Sequence, residues 1–317
     1  MPTSETLDLA SLDDAGFRRL YAERIEPCFA GNEADRLKAV AAFKRRLWVG
    51  APILLIAACA LGFWQREPGL VVFVLIFGGF ALGIYAYAPL GAVAKRVKVQ
   101  SLTAISEAMR AKYMLGGFDP PALARLKDLR LLPSYNRSSF EDLFQGAHRG
   151  AAFDLYEAHL QQHRRTGKNS STVTVFRGQI IRLAFPKRFH GVTIVRRDMG
   201  VFNALNGGEG LKRVGLVDPK FEKVFEVYSN DQVESRYLVH PVFMERLMDL
   251  EAALKGKRLR CAFQDGDLMI AIEGGNLFEP GDLFKPLIDE IRARRIVDEL
   301  ASVMRVMEAV LTAQTQY

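Results

Sequence analysis

The sequence predicts an α+β protein: a two-helix transmembrane hairpin, then a cytoplasmic domain of mainly antiparallel sheet with flanking helices and a long C-terminal helix. Three observations carry that expectation. Of 317 residues 49% are hydrophobic, yet residues 47–94 hold only two charged side chains, the adjacent Arg66 and Glu67. Beyond about residue 150 the apolar runs become short, β-branched or aromatic, and are bounded by Gly, Pro, Asn or Asp, which is the pattern of strands. From about Gly281 to Ala313 helical spacing returns. At roughly 100–200 residues per domain, the length suits one folded domain and an anchor, and the composition excludes a disordered, collagen-like or disulfide-stapled chain.

Residues 1–46 read as a cytoplasmic amphipathic helical segment. Phe17, Leu20, Tyr21 and Ile25 recur at helical spacing, and Ser11 with Asp14 resembles an N-cap pair. Pro27 and Gly31-Asn32 are expected to break this helix before Glu33–Arg46 resumes it. Residues 47–94 then form the hairpin. Leu47–Trp64 is free of charge, and at ~1.5 Å per residue it spans about 27 Å, close to a hydrocarbon core of roughly 30 Å. Gln65-Arg66-Glu67-Pro68 interrupts, and a second span follows over about 69–90. Neither span holds an ionisable group that would mark a proton relay or ion path. Ala58-x-x-x-Gly62 and Gly79-x-x-x-Gly83 place small residues at helix-packing spacing, for packing of the two spans on each other or for dimerisation.

Basic residues flank the hairpin, Lys44, Arg45 and Arg46 before it and Lys95, Arg96 and Lys98 after it, while the connecting loop offers one Arg beside one Glu. Positive charge stays on the cytoplasmic side, so both termini are expected in the cytoplasm. Trp48, Trp64, Tyr85 and Tyr87 fall where interfacial aromatics do. Forty-six largely polar residues precede the first apolar run, which argues against a cleaved signal peptide. Cys28, Cys59 and Cys261 are far apart in sequence and form no metal or disulfide framework, in keeping with a reducing compartment.

Residues 95–317 form the cytoplasmic domain and hold the whole net charge of +7. A helix is expected to continue over 95–115, stopped by Gly116–Pro121, with a short helical piece around Ala122–Leu129. Candidate strands are Ala151–Leu160, Thr172–Ala184, Val192–Arg196, Arg213–Leu216, Lys223–Tyr228, Arg260–Phe263 and Leu268–Ile272, the last two joined by the hairpin signal Asp265-Gly266. Ser229 and Gln232 fit a capping box, and Pro241 suits the first turn of a helix to about Leu254, with His240 at its cap position. Ile296, Leu300, Val303, Met307 and Val310 follow 4-3-4-3 spacing, as a helix packed on its own domain or a coiled-coil seam would.

No enzyme signature emerges. Gly167-Lys168 lacks the preceding Gly and following Ser or Thr of a phosphate loop, Asn206–Gly210 is a turn without a nucleotide fingerprint, and His159 and His163 lack a metalloprotease motif. No cofactor and no metal is expected. The densest polar group is Tyr228, Ser229, Asn230, Asp231, Glu234, Arg236, Tyr237 and His240. It yields a candidate ligand site at Tyr228, Arg236, Tyr237 and His240, with Arg236 and His240 contacting an anion. Capping and local salt bridges are the competing explanation for Ser229, Asp231 and Glu234.

At these residues the chain resembles a bacterial family. Val224–Leu247 (VFEVYSNDQVESRYLVHPVFMERL) and Gly178–Val195 (GQIIRLAFPKRFHGVTIV) resemble domain-of-unknown-function family 3137, whose members pair a two-span hairpin with a cytoplasmic α+β domain. The resemblance implies a bacterial inner-membrane location over most of residues 95–317 and carries no catalytic residue. The expected function is a membrane-anchored binding or scaffolding protein that engages a protein partner, another copy of itself or anionic lipid head groups. The dispersed basic clusters argue against nucleic acid. A membrane-tethered enzyme acting on an anionic substrate near Tyr228–His240 is the alternative.

Overall fold

The computed structural model describes residues 9–166, 169–186, 188–197, 210–216, 219–279 and 281–315; Gly167-Lys168, Lys187 and most of the 206–210 turn lie outside them. In chain order the elements are α1 (Asp14–Leu20), a π-helical turn (Tyr21–Ile25), α2 (Glu26–Gln65), α3 (Pro68–Ala108), β1 (Lys112–Met114), α4 (Leu123–Asp128), β2 (Arg137–His148), β3 (Ala151–Thr166), β4 (Asn169–Ala184), β5 (Thr193–Arg197), β6 (Lys212–Val214), α5 (Pro219–Glu222), β7 (Phe225–Ser229), α6 (Gln232–Leu238), α7 (Pro241–Ala253), β8 (Lys257–Gln264), β9 (Asp267–Glu273) and α8 (Glu290–Thr315). The α+β class expected from sequence holds. The chain forms two compact units.

One unit comprises Arg18–Ala104 and Glu279–Ile291. It contains two helices long and apolar enough to cross a membrane, whose most apolar windows are only 11% and 6% buried. The core helix of a soluble protein hides such a window; here Trp48, Ile53, Ile56, Phe73, Ile76 and Phe80 all face outward, as lipid-facing residues do. Arg66, with φ of 54°, ends α2, and Pro68 opens α3. The break expected at Pro27 and Gly31-Asn32 does not occur. The π-helical turn delivers Pro27 to the first turn of α2, where the missing N–H costs nothing, and Asn32 stays helical with Nδ2 donating to Cys28 O at 2.7 Å.

The spans pack on each other through small residues, Leu82 facing Gly50, Leu54 facing Gly78 and Val71 facing Gly62, while Gly79 and Gly83 meet open space. The Ala58–Gly62 pair therefore serves the hairpin itself. Arg46 donates to Tyr85 O at 2.6 Å, with its guanidinium 4.2 Å from that ring's centroid. Further from the spans, Arg96 pairs with Asp35 at 2.7 Å, and Asn32 donates to Gln100 Oε1 at 2.6 Å. The two helices thus continue together well beyond the apolar runs.

The other unit contains the described residues of Met1–Phe17, Ile105–Phe278 and Arg292–Tyr317. Its nine strands form one antiparallel sheet in the order β1-β2-β3-β4-β9-β8-β5-β7-β6. The helix expected over 95–115 ends at Ala108, and Tyr113 lies in β1 opposite Phe144. β2, whose sequence RSSFEDLFQGAH lacks clean alternation, was not foreseen; a bulge between Glu141 and Phe144, with Asp142 at φ of 56°, interrupts its pairing. At the β8–β9 turn Asp265 and Gly266 both take positive φ, 54° and 89°, as the Asp-Gly signal requires.

One sheet face presents Tyr156, Ala158, Ile180, Met269, Ala271, Ala262 and Ile194 to a core closed by Leu126, Leu131 and Leu132 from α4 and the chain after it. The alternate residues Leu155, Ile181, Ile270, Cys261, Val195 and Val227 are buried on the other face. α8 begins at Glu290, not near Gly281; Pro286 lacks the N–H that an earlier start would use. Its spaced residues Ile296, Leu300, Val303, Met307 and Val310 are all buried, which leaves no open coiled-coil seam.

Candidate arginine cleft

The polar group around residue 230 is a clamp. Ser229 is the last residue of β7, not a helix cap; the cap of α6 is Asp231, whose carboxylate accepts from the N–H of Val233 and Glu234 at 3.0 and 2.9 Å. Ser229 Oγ shares a hydrogen bond with Thr193 Oγ1 at 3.0 Å and accepts from Asp231 N at 3.0 Å. Asn230 Oδ1 accepts from Val192 N at 2.8 Å, and Glu234 accepts from the N–H of His190 and Gly191 at 2.8 and 2.7 Å. A short strand such as β5 has few ladder bonds, and these side chains fix its entry and register against β7.

His240 caps α7, its Nδ1 accepting from Phe243 N, while Nε2 lies 3.3 Å from Ala309 O. Nε2 therefore carries the proton, and burial holds the imidazole pKa below its usual value. Both nitrogens are engaged, so the cap position that called for Ser or Thr is filled by an equivalent acceptor. Arg236 is exposed in the last turn of α6, and Tyr237 lies on the same helix. Tyr228 points elsewhere: its hydroxyl donates to Glu226 Oε2 at 2.7 Å, and Glu226 Oε1 lies 3.5 Å from Arg213. Burial, then the Glu226 carboxylate, pushes the Tyr228 phenol up to about 12, so it remains a donor at neutral pH. Tyr228 and His240 are thus each engaged by a partner within the chain.

Tyr228 does share a sheet face with the strongest concentration of buried positive charge. Register places Tyr228 opposite Ile194 and Glu226 opposite Arg196 across β5–β7, and Arg196 opposite Arg260 across β5–β8. A bulge between Lys257 and Arg260, with Arg258 at φ of 52°, sets the direction of Arg260. Arg130 approaches from the end of α4, where it takes φ of 52° just past the helix, a position that favours glycine. The cleft among these elements has a volume of about 560 Å³ and is lined by Asp128, Leu129 and Arg130, by Val192, Ile194 and Arg196, and by Leu211 and Asn230.

Arginines that face each other across a ladder repel. Burial, then the charges of Arg260 and Arg130, hold the Arg196 guanidinium below the usual arginine pKa; burial also lowers Arg260, against the opposing pull of Glu273. Arg196 Nη2 donates to Leu129 O at 3.0 Å, which steers the guanidinium toward the cleft mouth. A bound anion relieves that repulsion and gains charge-assisted hydrogen bonds. Among the described residues the lining contains no His, Cys or Ser. Cys261 is fully buried, and burial keeps its thiol protonated.

His159 and His163 lie four apart on β3, which separates them by about 13 Å along a strand, and each meets a threonine, Thr174 and Thr172, at 2.9 Å. Among the described residues no cluster of three or more metal-type ligands occurs. The residues read as flanking the membrane separate into two sets. Lys44 and Arg45 are exposed beside the first span, and Arg46 meets Tyr85. Arg96 and Lys98 instead pair with Asp35 and Glu279, Lys98 at 3.4 Å, and Lys95 is exposed one residue from Arg96. Asp35 is twelve residues from Leu47, about 18 Å along a helix, so the Arg96–Asp35 pair lies beyond the end of the first span, while Lys95 directly follows the charge-free run that ends at Ala94.

Fold and cleft define an α+β protein with two apolar helices suited to membrane association and a nine-stranded sheet unit. Residues 174–311 match the family model described as Protein of unknown function (DUF3137), the family that the sequence resembles. The match starts within β4 and ends within α8, so it takes in Arg196, Tyr228 and Arg260 but neither the hairpin nor Arg130. No curated protein matches the chain. Among solved structures, the crystal structure of the mycobacterial trehalose monomycolate transport factor A, TtfA, is similar at 11% identity over 65% of this chain and 93% of that one, with a TM-score of 0.32. Likeness at that level carries no argument about fold or function.

Proposed function

We propose that the protein is a membrane-anchored binding protein whose sheet unit takes a small anionic ligand in the arginine cleft. The observation that carries this reading is the pairing of Arg130 and Arg196 in the wall of one cleft, with Arg260 directly opposite Arg196 in the ladder. The cleft lining offers arginine and backbone donors beside the apolar contact surface of Leu129, Val192, Ile194 and Leu211, with Asp128 as its carboxylate among the described residues, a composition suited to holding a small anion. Lys44, Arg45 and Arg46 beside the first span favour a bacterial inner membrane location with both termini in the cytoplasm, where phosphorylated and carboxylated metabolites abound.

The test is thermal unfolding of the full chain in nanodiscs, with and without inorganic phosphate, pyrophosphate or citrate. Ligand that binds the folded form alone stabilises it in proportion to RT ln(1 + [L]/Kd). A saturable rise in Tm with at least one anion, lost in Arg196→Gln, supports the reading. Equal small shifts in both proteins, scaling only with ionic strength, overturn it.

A further inference from the structure

We propose that the turn Asp282–Lys285 is a membrane contact beyond the two spans, with the Phe284 ring lying in the headgroup layer of the bilayer that the hairpin crosses. Glu279–Ile291 belongs to the same compact unit as the hairpin, so its height can be measured along α2. The Phe284 ring stacks edge-on against Phe43 with centroids 5.3 Å apart. Phe43 is four residues before the charge-free run that begins at Leu47, about 6 Å along a helix. The interfacial layer of one leaflet is roughly 5–7 Å thick, which puts the ring inside it. Arg46 and Tyr85, an interfacial pair on the hairpin, lie three residues nearer the span than Phe43, about 4.5 Å along the helix.

The turn is held so that it must offer this ring outward. Leu283 and Leu287 are buried on either side, while Phe284 is 49% exposed. Phe284 N donates to Asp282 Oδ1 at 2.9 Å, which closes the turn. The buried Arg36 donates to Leu283 O at 3.0 Å, and Glu33, itself bonded to Arg36 at 2.6 and 2.9 Å, accepts from Leu287 N at 3.2 Å. Exposed apolar residues are common singly on protein surfaces. This one is fixed by a buried ion pair at the depth where amphipathic contacts insert, with Lys285 beside it to meet lipid phosphate.

Tryptophan fluorescence reads this directly. The full chain, with Trp48→Phe and Trp64→Phe removing both native tryptophans, is reconstituted in phosphatidylcholine–phosphatidylglycerol vesicles whose acyl chains are brominated near the headgroup. Single tryptophans are then introduced as Phe284→Trp, Lys285→Trp or Ile288→Trp. Lys285 is exposed, so that variant keeps the test open if a Trp in place of Phe284 disturbs the turn. Ile288 is also exposed, but it adjoins Leu287, whose bond to Glu33 places it fourteen residues from Leu47, about 21 Å. Blue-shifted emission quenched by bromine at position 284 or 285, with none at 288, supports the contact. Water-like, unquenched emission at both turn positions, or equal quenching at all three, overturns it.

Discussion

The two ends of one sheet face treat arginine in opposite ways. At the β3–β4–β9 end Arg182 sits between Asp154 at 3.0 Å and Asp267 at 2.9 Å, Arg125 also meets Asp267, and Gln145 donates to Asp154 at 2.8 Å. At the β6–β7–β5–β8 end Arg196 faces Arg260, with Arg130 nearby. Although burial works against it in both places, the guanidinium pKa rises at Arg182, where the two carboxylates prevail, and falls at Arg196 and Arg260. The first end is complete as a network of matched charges and serves stability. At the second, Glu273 pairs with Arg260 at 2.5 Å, yet the arginines still face one another across the ladder, and this contrast underlies the proposal of an anion site there.

The sharpest way to break the contrast is to unmatch the matched end. Asp267→Ala leaves Arg125 without this partner and Arg182 with Asp154 alone, and losing a half-buried charge-assisted hydrogen bond costs about 1.5–3 kcal/mol. Chemical unfolding should show that loss; a change near zero would remove the structural role given to this network.

A buried carboxylate in α8 offers a comparison of similar size. Glu299 is 3% exposed, its nearest cation is Arg295 at 3.8 Å, and burial pushes its carboxyl up to about 7 from 4.5. Because the folded form holds this proton more tightly than the unfolded chain, stability falls as pH rises from about 4.5 to about 7 and then levels off. Glu299→Gln should remove that slope, gaining about 3 kcal/mol at pH 8 and nothing at pH 4. Denaturant midpoints measured across this range check both the slope and its sign.

At the cleft the effects are smaller and read out on ligand. A hydrogen bond to a charged group is worth about 1.5–3 kcal/mol, so Arg196→Gln should weaken anion binding by at least about tenfold, while Arg236→Gln, on exposed α6, should leave it unchanged. Calorimetric titration separates the two, and a loss in Arg236→Gln would return the site to the Tyr228–His240 junction. Smallest is Arg130→Gly, which relieves a left-handed residue at a helix end and should raise stability by about 0.5–1 kcal/mol while weakening the anion. A protein that gains Tm as it loses ligand would sharpen the contrast most.

The architecture was largely legible because it rests on local patterns. The charge-free hairpin, the Asp265-Gly266 turn and the β-branched strands each announce themselves within ten or twenty residues. β2 was hidden because its bulge at Asp142 breaks the alternation, and Tyr113 because α3 has no strong stop before it. The cleft was only partly legible. Asn230 lines it and Tyr228 shares its sheet face, but Arg130 and Arg196 in its wall, and Arg260 opposite Arg196, come from three distant segments. One signal was available, an arginine in an otherwise apolar alternation, in Val192–Arg196 and again in Arg260–Phe263. The denser polar group near residue 230 serves another purpose, since its hydrogen bonds fasten β5, the strand that carries Arg196.

The level of Arg46 beside Tyr85 has a mechanical consequence. With Leu47 at that level, the lipid-facing length is about 27 Å in α2 and about 25 Å in α3, counted from Pro68. Helices that exceed the hydrocarbon thickness absorb the surplus by tilting. By that count the hairpin has no surplus in a core of roughly 30 Å, so a mismatch would be met by thinning of the bilayer and not by tilt. Such an anchor favours thin bilayers, and lengthening both spans by one turn should let it lean and settle in thicker ones.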